Sequence, residues 1–389
     1  MNRWSQFWQV QDYWFLTSVL FLVVLGFLMV FSASSDYASY RYDDLYYFSK
    51  RHAVYLLLGV IAMTITALIP LKAWFELAFP LFLVGIVLLI AVLIVGTNVN
   101  GSQRWIRLAG FSLQPSEFMK VAMVLAVARY VTRFQENLTQ RGFYFIRPLI
   151  AIPVVAILLL LEPDYGATVL ISATVVGVLF LAGVPLLPFM SVMGLALTAA
   201  YFVAISSPYR LARLTGFADP WANQFDSGYQ LTQSLIAFGR GHFDGVGYGN
   251  SVQKLMFLPE AHTDFVFSIW AEETGWLGAL LIVALFTILV ARLFVLCRRA
   301  LNRNQRFIAW VAAGFGFLIA GQAFINLGVA SGLLPTKGLT LPFISYGGSS
   351  LLVSFALVGI VMRMHVAVNQ MTTKRGPKAS NDSLLGVIP

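Results

Sequence analysis

The sequence predicts an all-α polytopic membrane protein of about ten transmembrane helices, with both termini in the cytoplasm and one long extracytoplasmic loop between the seventh and eighth helices. Two observations predict this class. Of the 389 residues, 59% are hydrophobic and only 11% are charged, whereas a soluble domain has roughly a quarter of its residues charged. The apolar residues also fall in runs of about 20, the length of helix that crosses a bilayer.

Ten apolar runs follow one another along the chain. They cover residues 14–34, 52–70, 75–96, 117–132, 146–162, 166–183, 185–205, 265–296, 308–333 and 341–362. The first run lacks a small-residue cleavage site, so we expect a retained helix and not a signal peptide. An even number of spans returns the C-terminus to the side of the N-terminus.

The charge of +9 also fits a membrane topology. With the N-terminus inside, most of the 26 basic residues fall in cytoplasmic segments, as the positive-inside rule requires. The basic residues lie between apolar runs and not along one face, so no nucleic-acid partner is predicted. We expect a short cytoplasmic N-terminus at 1–13, a transmembrane domain at 14–370 and a disordered cytoplasmic tail at 371–389. The single cysteine, Cys297, permits no intrachain disulfide.

The loop at 206–264 is too long for a mere linker between helices. Residues 228–239 can form a short amphipathic helix within it. The glycine-rich segment 239–251 that follows has two interpretations. Its backbone N–H groups could approach an anionic ligand, or its glycines could serve turns that need positive φ.

The motif LPEAHTDF at 258–265 closes this loop and carries Glu260, His262 and Asp264 just before an apolar run. Partial desolvation raises the pKa of a carboxylate, which suits a general base acting on a sugar hydroxyl. Asp264 is therefore a candidate base, with a helix N-cap as the alternative. His262 could orient a carboxylate or bind a metal, although a lone loop histidine often does neither.

Further ionisable residues lie at or near membrane depth, where they are functional candidates by default. Glu117 and Lys120 lie three apart on one helical face, so neutralising each other is an equally good interpretation. Cations near the outer ends of the spans would suit a pyrophosphate if they converge, and otherwise would extend toward headgroups. The remaining acidic candidates are Glu162, Asp164, Glu272 and Glu273, and the outer cations include Arg51, Arg104 and Lys337.

Several long strings resemble the SEDS family of bacterial shape, elongation, division and sporulation proteins. They are NGSQRWI at 100–106, QPSEFMK at 114–120, DPWANQFDSGYQL at 219–231, GNSVQKL at 249–255, LPEAHTDF at 258–265 and LPTKGLTLPFISYGGSS at 334–350. Ala261 and the sequence KGLTLP at 337–342 favour the division branch of the family over the elongation branch. In the segment 239–251, His242 and Tyr248 depart from the smaller or aliphatic residues of the family pattern.

The resemblance implies a peptidoglycan glycosyltransferase in the bacterial inner membrane at the division septum. It would polymerise lipid II, working with a class B penicillin-binding transpeptidase and other membrane proteins of the division machinery. The family aspartate falls on Asp264, and His262 is carried over as its neighbour. The resemblance places five further residues along the polar cavity: Arg51, Arg104, Glu117, Lys120 and Lys337.

On this hypothesis Asp264 takes the proton of the acceptor hydroxyl, and Arg104, Lys120 and Lys337 hold the departing pyrophosphate. Two adjacent phosphates would offer hard oxygen ligands to Mg²⁺ or Mn²⁺, but no metal-ligand spacing is present, so metal ligands stay unassigned. Three alternatives are an elongation-branch member, a transporter that flips lipid II, and a structural scaffold of the division machinery.

Overall fold

The structure is a computed structural model that describes residues 7–99, 102–108, 111–140, 144, 146–185, 189–191, 194, 198, 216–336 and 338–374. The helices are α1 (Tyr13–Tyr42), α2 (Tyr47–Leu68), α3 (Leu71–Val95), α4 (Pro115–Gln140), α5 (Ile146–Leu161), α6 (Tyr165–Leu181), α7 (Tyr229–Gly241), α8 (Val266–Asn302), α9 (Arg306–Ala330) and α10 (Gly348–Lys374). Three short strands, β1 (Thr97–Val99), β2 (Ser102–Leu108) and β3 (Phe111–Leu113), lie between α3 and α4.

The predicted class of helical polytopic membrane protein is confirmed. Among the described residues, six helices are long and apolar enough to cross a membrane, namely α1, α2, α3, α8, α9 and α10, and the apolar helices α5 and α6 are shorter. Helix α4 covers the predicted span at 117–132 and carries the charged residues of that segment. The predicted span at 185–205 lies largely outside the described residues, so the count of ten remains a prediction.

A small antiparallel sheet was not predicted. Strand β2 pairs with β1 and with β3, in the order β1-β2-β3. The segment holds Val99, Trp105 and Ile106, which favour strands, and Asn100-Gly101 is a dipeptide typical of tight hairpins. A search for apolar runs passes over such short strands. The sheet matters because it carries Arg104 of the NGSQRWI motif.

Helix α9 forms the centre of the bundle. Within its most apolar window, 72% of the residues are buried, against 22% for α2 and 28% for α3. Glycines let neighbouring helices approach closely, as is common where lipid gives no hydrophobic drive for association. A Cβ on Gly314 of α9 would meet the Val124 side chain of α4 at 2.5 Å. The residues facing out from α2 and α3 are mostly apolar, which fits contact with lipid.

Helix α8 is interrupted at Gly275, where φ is 64° and ψ is −162°, a conformation open essentially to glycine alone. The glycine-rich segment inserts at this break. The N–H of Trp276 donates to the carbonyl of His242 at 3.1 Å, and the N–H of Val246 donates to the carbonyl of Glu272 at 3.0 Å. The backbone groups freed by the break are thus satisfied by the preceding loop.

Two buried carboxylates of α8 hold the rest of this loop. Glu272 accepts hydrogen bonds from the backbone N–H groups of Val252 at 3.1 Å and Gln253 at 3.3 Å. Glu273 lies 3.6 Å from the ammonium group of Lys254 and accepts from the hydroxyl of Ser32 on α1. These contacts favour the interpretation of the glycines as turn formers, since Gly245, Gly247 and Gly249 all have positive φ.

Candidate active site

The described residues of five connecting segments lie at one end of the bundle: 43–46, 97–113, 162–164, 242–265 and 331–347. Antiparallel alternation of α1 to α6 puts the first three on the same side. Hydrogen bonds join 97–113 to 162–164 and join 331–347 to 242–265, and a further bond links Gln114 to Ser349 at the start of α10. Arg104 binds the 162–163 turn, the N–H of Tyr346 donates to the carbonyl of His262 at 3.0 Å, and the N–H of Gln114 donates to Ser349 Oγ at 3.0 Å.

Asp264 lies in this cluster, two residues before α8 begins at Val266. Its side chain is partly exposed. A Cβ built on Gly338 would lie 2.9 Å from Asp264 Oδ2, so the carboxylate rests against the exposed backbone of Gly338. The residue at the N-cap position of α8 is Phe265, without a side-chain capping bond. The alternative role of Asp264 as an N-cap therefore has no support at that position.

Two amide side chains of α9 bind the backbone next to Asp264 and Gly338. The amide nitrogen of Asn326 donates to the carbonyl of Asp264 at 2.9 Å and to the carbonyl of Leu339 at 2.6 Å. One turn away, Gln322 donates to the carbonyl of Thr340 at 2.8 Å. Residues four apart share one face of a helix, so this face of α9 supports both segments.

The Glu117–Lys120 pair is formed and buried. Lys120 Nζ lies 2.7 Å from Glu117 Oε2, and the two residues are 2% and 5% exposed. Lys120 Nζ also donates to Gln322 Oε1 at 3.0 Å. Through Gln322 and Thr340 the pair is connected to the segment next to Asp264. A cavity of about 20 Å³ adjoins both charges, enough for about one water molecule.

Arg104 is directed by strand β2 toward the turn between α5 and α6. Its Nε donates to the carbonyl of Glu162 at 3.1 Å, and its Nη2 donates to the carbonyl of Pro163. Beside this turn, Ser116 Oγ donates to Asp164 Oδ2 at 3.0 Å, while Asp164 caps α6 through the N–H of Ala167. The guanidinium group of Arg104 is thus engaged by two backbone carbonyls of this turn.

His262 and Arg51 belong to an aromatic cluster. The His262 ring lies 4.5 Å from the ring of Phe48 and 5.8 Å from that of Tyr346, between ring centroids. Burial lowers the pKa of His262, with Glu260 opposing the shift. His262 is thus neutral near pH 7. Arg51 donates to the hydroxyl of Tyr47 at 2.7 Å, which places its charge at the edge of the same cluster.

Lys337 lies outside the described residues, although its chain neighbour Gly338 adjoins Asp264. Among the residues that the structure does describe, no group of three histidine, cysteine, aspartate or glutamate side chains could hold a metal ion. The described part of the site therefore gives Mg²⁺ or Mn²⁺ no cage made of protein ligands alone.

Sequence reasoning missed Gln322, Asn326 and Gly338 as members of the site. The signal for the two amides was present: polar residues four apart inside an apolar run are costly at membrane depth. A prediction that considers only ionisable residues passes over them. Gly338 lies within the string 334–350, but its contact with a residue more than 70 positions earlier has no local signal.

Fold and site together define a multi-pass membrane protein with a polar site assembled from connecting segments at one end of its helix bundle. The described part of that site holds the carboxylate of Asp264, the buried Glu117–Lys120 pair and the guanidinium group of Arg104. The chain belongs to the FtsW, RodA and SpoVE family of cell cycle proteins, whose profile matches residues 13–370.

Curated relatives support this membership over nearly the whole chain. A protein of Halomonas elongata named "Probable peptidoglycan glycosyltransferase FtsW" is 46% identical over 371 residues, covering 95% of this chain and 93% of its own. A protein of Coxiella burnetii with the same name is 48% identical over 355 residues, covering 91% and 95%.

Solved structures show the same fold. A chain of a peptidoglycan synthase complex, described as coordinating polymerization and crosslinking, matches with a TM-score of 0.76 at 30% identity and covers 92% of this chain and 98% of its own. The rod shape determining protein RodA of Thermus thermophilus matches with a TM-score of 0.68 at 30% identity, with coverage of 91% and 96%.

Proposed function

We propose that this chain is a peptidoglycan glycosyltransferase that polymerises lipid II at the outer face of the cytoplasmic membrane. The observation that carries the proposal is the placement of Asp264 against Gly338, where a partly exposed carboxylate meets the segment that contains Lys337. Relatives with 46% and 48% identity bear the name of this activity. The same names favour the division branch, and so a place at the septum, over the elongation branch represented by RodA.

In the proposed step, Asp264 takes the proton of the 4-hydroxyl of the acceptor GlcNAc. That oxygen bonds to the anomeric carbon of the donor with inversion, while the bond from this carbon to undecaprenyl pyrophosphate breaks. The pyrophosphate departs with its electron pair, and Asp264 later returns the proton to solvent. Lys120, Lys337 and Arg104 supply positive charge where negative charge develops on the leaving group.

The partners in this proposal are a class B penicillin-binding transpeptidase of the FtsI type and other division proteins in the membrane. Its support is the structural likeness to a chain of a peptidoglycan synthase complex. Residues exposed on α2 and α3 give the bundle an apolar surface that is compatible with partner helices as well as with lipid. A coupled polymerase and crosslinking enzyme would act on the same glycan strand.

A transporter that flips lipid II is the alternative with a structural argument behind it, because interrupted helices are common in transporters. Helix α8 is interrupted at Gly275. However, the chain's own loop satisfies the exposed backbone groups there, whereas a transport site uses such groups for its ligand. The break therefore supports an enzyme with a fixed loop better than a carrier.

The proposal is tested with the purified full-length protein and its partner transpeptidase, supplied with labelled lipid II. We expect Asp264→Asn and Asp264→Ala to lower the rate of polymer formation by about 10²- to 10⁴-fold, the usual worth of a general base. Asp244→Asn, which alters an exposed carboxylate of the same loop, should polymerise at the native rate.

Native polymerisation by the Asp264 variants would refute the assignment of the base. Translocation of lipid II between leaflets, measured without partner and without polymer formation, would instead support the transporter. Cell division sustained by Asp264→Ala would support the scaffold.

A further inference from the structure

Asn326 is a polar residue in the most buried helix of the bundle. It is 2% exposed and lies in the last turns of α9, surrounded by an otherwise apolar run. A side-chain amide at such depth is unfavourable unless its hydrogen-bonding groups are used. What Asn326 binds therefore indicates why an amide is present there.

Both partners of Asn326 are backbone carbonyl oxygens from distant parts of the chain. They belong to Asp264, at 2.9 Å, and to Leu339, at 2.6 Å. A carbonyl oxygen only accepts, so the amide must present its NH₂ group to both. One nitrogen atom thus holds two connecting segments together.

These two carbonyls lie beside the reacting groups. The carbonyl of Asp264 is joined through Cα to the carboxylate proposed as the base. Leu339 follows Gly338, whose backbone faces Asp264 Oδ2, and Lys337 is the residue before that. A shift of either carbonyl would change where the carboxylate stands relative to the segment that contains Lys337.

The amide oxygen of Asn326 strengthens this argument. Asn326 Oδ1 is buried and has no hydrogen-bond partner among the described residues. An unsatisfied buried acceptor is destabilising, so stability alone does not explain an amide at this position. Gln322, one turn earlier, has both ends of its amide engaged, by Lys120 and by Thr340.

We propose that Asn326 is a positioning residue, which fixes the Asp264 carboxylate relative to residues 338–340 and thereby sets the rate of glycosyl transfer. This inference rests on the proposed polymerase function. Asn326 acts through two backbone carbonyls, and other groups determine the affinity for the substrate. Its loss therefore changes kcat while leaving KM for lipid II nearly constant.

The test compares Asn326→Leu and Asn326→Gln with the native full-length protein, each with its partner transpeptidase and labelled lipid II. Leucine fills the space without donors, and glutamine keeps the donors but displaces them by one methylene. Misplacement of a catalytic group by about 1 Å can cost about 10²-fold. We expect kcat to fall by about 10- to 100-fold in both variants, with KM changed less than about threefold.

A second readout separates positioning from a merely structural role. Displacing the Asp264 carboxylate should move the acid limb of the pH profile of kcat in the glutamine variant, while its thermal unfolding midpoint stays near the native value. Ser331→Ala is the matched control, because Ser331 Oγ bonds only carbonyls of its own helix, those of Leu327 and Gly328. It should match the native kcat, KM and pH profile.

Each outcome decides the proposal. A native kcat in folded glutamine and leucine variants overturns it, and so does a rise in KM at native kcat. If the leucine variant fails to fold, the glutamine variant decides alone. Asp264→Ala is run in parallel: if it is inactive while the Asn326 variants are native, only this inference fails. If it polymerises at the native rate, the assignment of Asp264 as the base fails first.

Discussion

At the scale of single residues, the Glu117–Lys120 pair shows how one feature combines two roles. The two charges compensate each other, as their spacing on one helical face suggested, and their atoms lie 2.7 Å apart. Yet Lys120 also binds Gln322, and Gln322 donates to the carbonyl of Thr340 in the segment beside Asp264. The pair is thus connected to the site as well as being internally neutral.

Substitutions can separate these two roles. Glu117→Gln or Lys120→Met alone should destabilise the protein by about 3–5 kcal/mol, because each leaves one buried charge without its partner. The double variant Glu117→Gln/Lys120→Met should recover most of the stability, since no net charge stays buried. Thermal unfolding and polymerisation of lipid II are measured on all three proteins.

We expect the double variant to fold but to polymerise lipid II slowly, because the cation proposed to stabilise the leaving pyrophosphate is gone. The Lys72–Glu76 pair on α3 is the matched control, since both of its side chains are largely exposed. Removing that pair should change stability by less than about 1 kcal/mol. A double variant that polymerises at the native rate would show that the buried pair is purely structural.

At the scale of elements, the interrupted helix α8 explains the glycine-rich segment. A Cβ on Gly275 would lie 2.4 Å from the carbonyl oxygen of Phe243, and one on Gly245 would lie 2.1 Å from the carbonyl oxygen of Glu273. The two backbones therefore approach too closely for side chains at these positions. The glycines make room for the neighbouring chain.

Gly275→Ala tests this explanation. It combines a steric clash with a φ of 64° that alanine adopts at a cost, and we expect a loss of about 1–3 kcal/mol in stability. The thermal unfolding midpoint should fall, and residues 242–253 should become more susceptible to proteolysis.

Gly239→Ala is the control for this substitution. Gly239 lies inside α7, and no atom would lie within 4 Å of an added Cβ. That change should leave stability unaltered or raise it by about 1 kcal/mol, because alanine favours helix. Equal behaviour of the two alanine variants would contradict the steric explanation.

The local pattern of apolar residues predicted the helices. Contacts between residues far apart in the sequence limited what could be predicted of the site. Apolar runs identified α1 and α9, and LPEAHTDF identified Asp264, because both signals are local. Asn326 joins residues 62 and 13 positions away, and no local signal indicates such partners. The insertion of the loop at Gly275 was hidden for the same reason.

At the scale of the whole molecule, the position of the site follows from the alternation of the helices. The connections next to Asp264 lie at one end of the bundle, and the amides of α9 hold them there. With the N-terminus inside, that end is outside the cell. The substrate of the proposed reaction must then be presented in the outer leaflet.

Cysteine labelling tests this orientation. In a Cys297→Ser background, Leu333→Cys should react with a membrane-impermeant maleimide in intact cells, since Leu333 is 70% exposed in the 331–347 segment. Leu301→Cys, at the opposite end of α8 and 42% exposed, should react only after the membrane is permeabilised. The background protein without added cysteine is the control. Labelling of Leu301→Cys in intact cells would show that the protein has the opposite orientation in the membrane.

The bridge made by Asn326 also imposes an order on biogenesis. Synthesis begins at the N-terminus, so Asp264 leaves the ribosome 62 residues before Asn326, whose amide binds the carbonyl of Asp264. Gly338 leaves the ribosome later still. The glycine-rich segment 239–251 likewise forms its hydrogen bonds to the backbone of residues 272–277 only after those residues have been synthesised. A nascent chain can therefore insert most of its helices while the site is unfinished. If the proposed function holds, the active site is complete only near the end of synthesis.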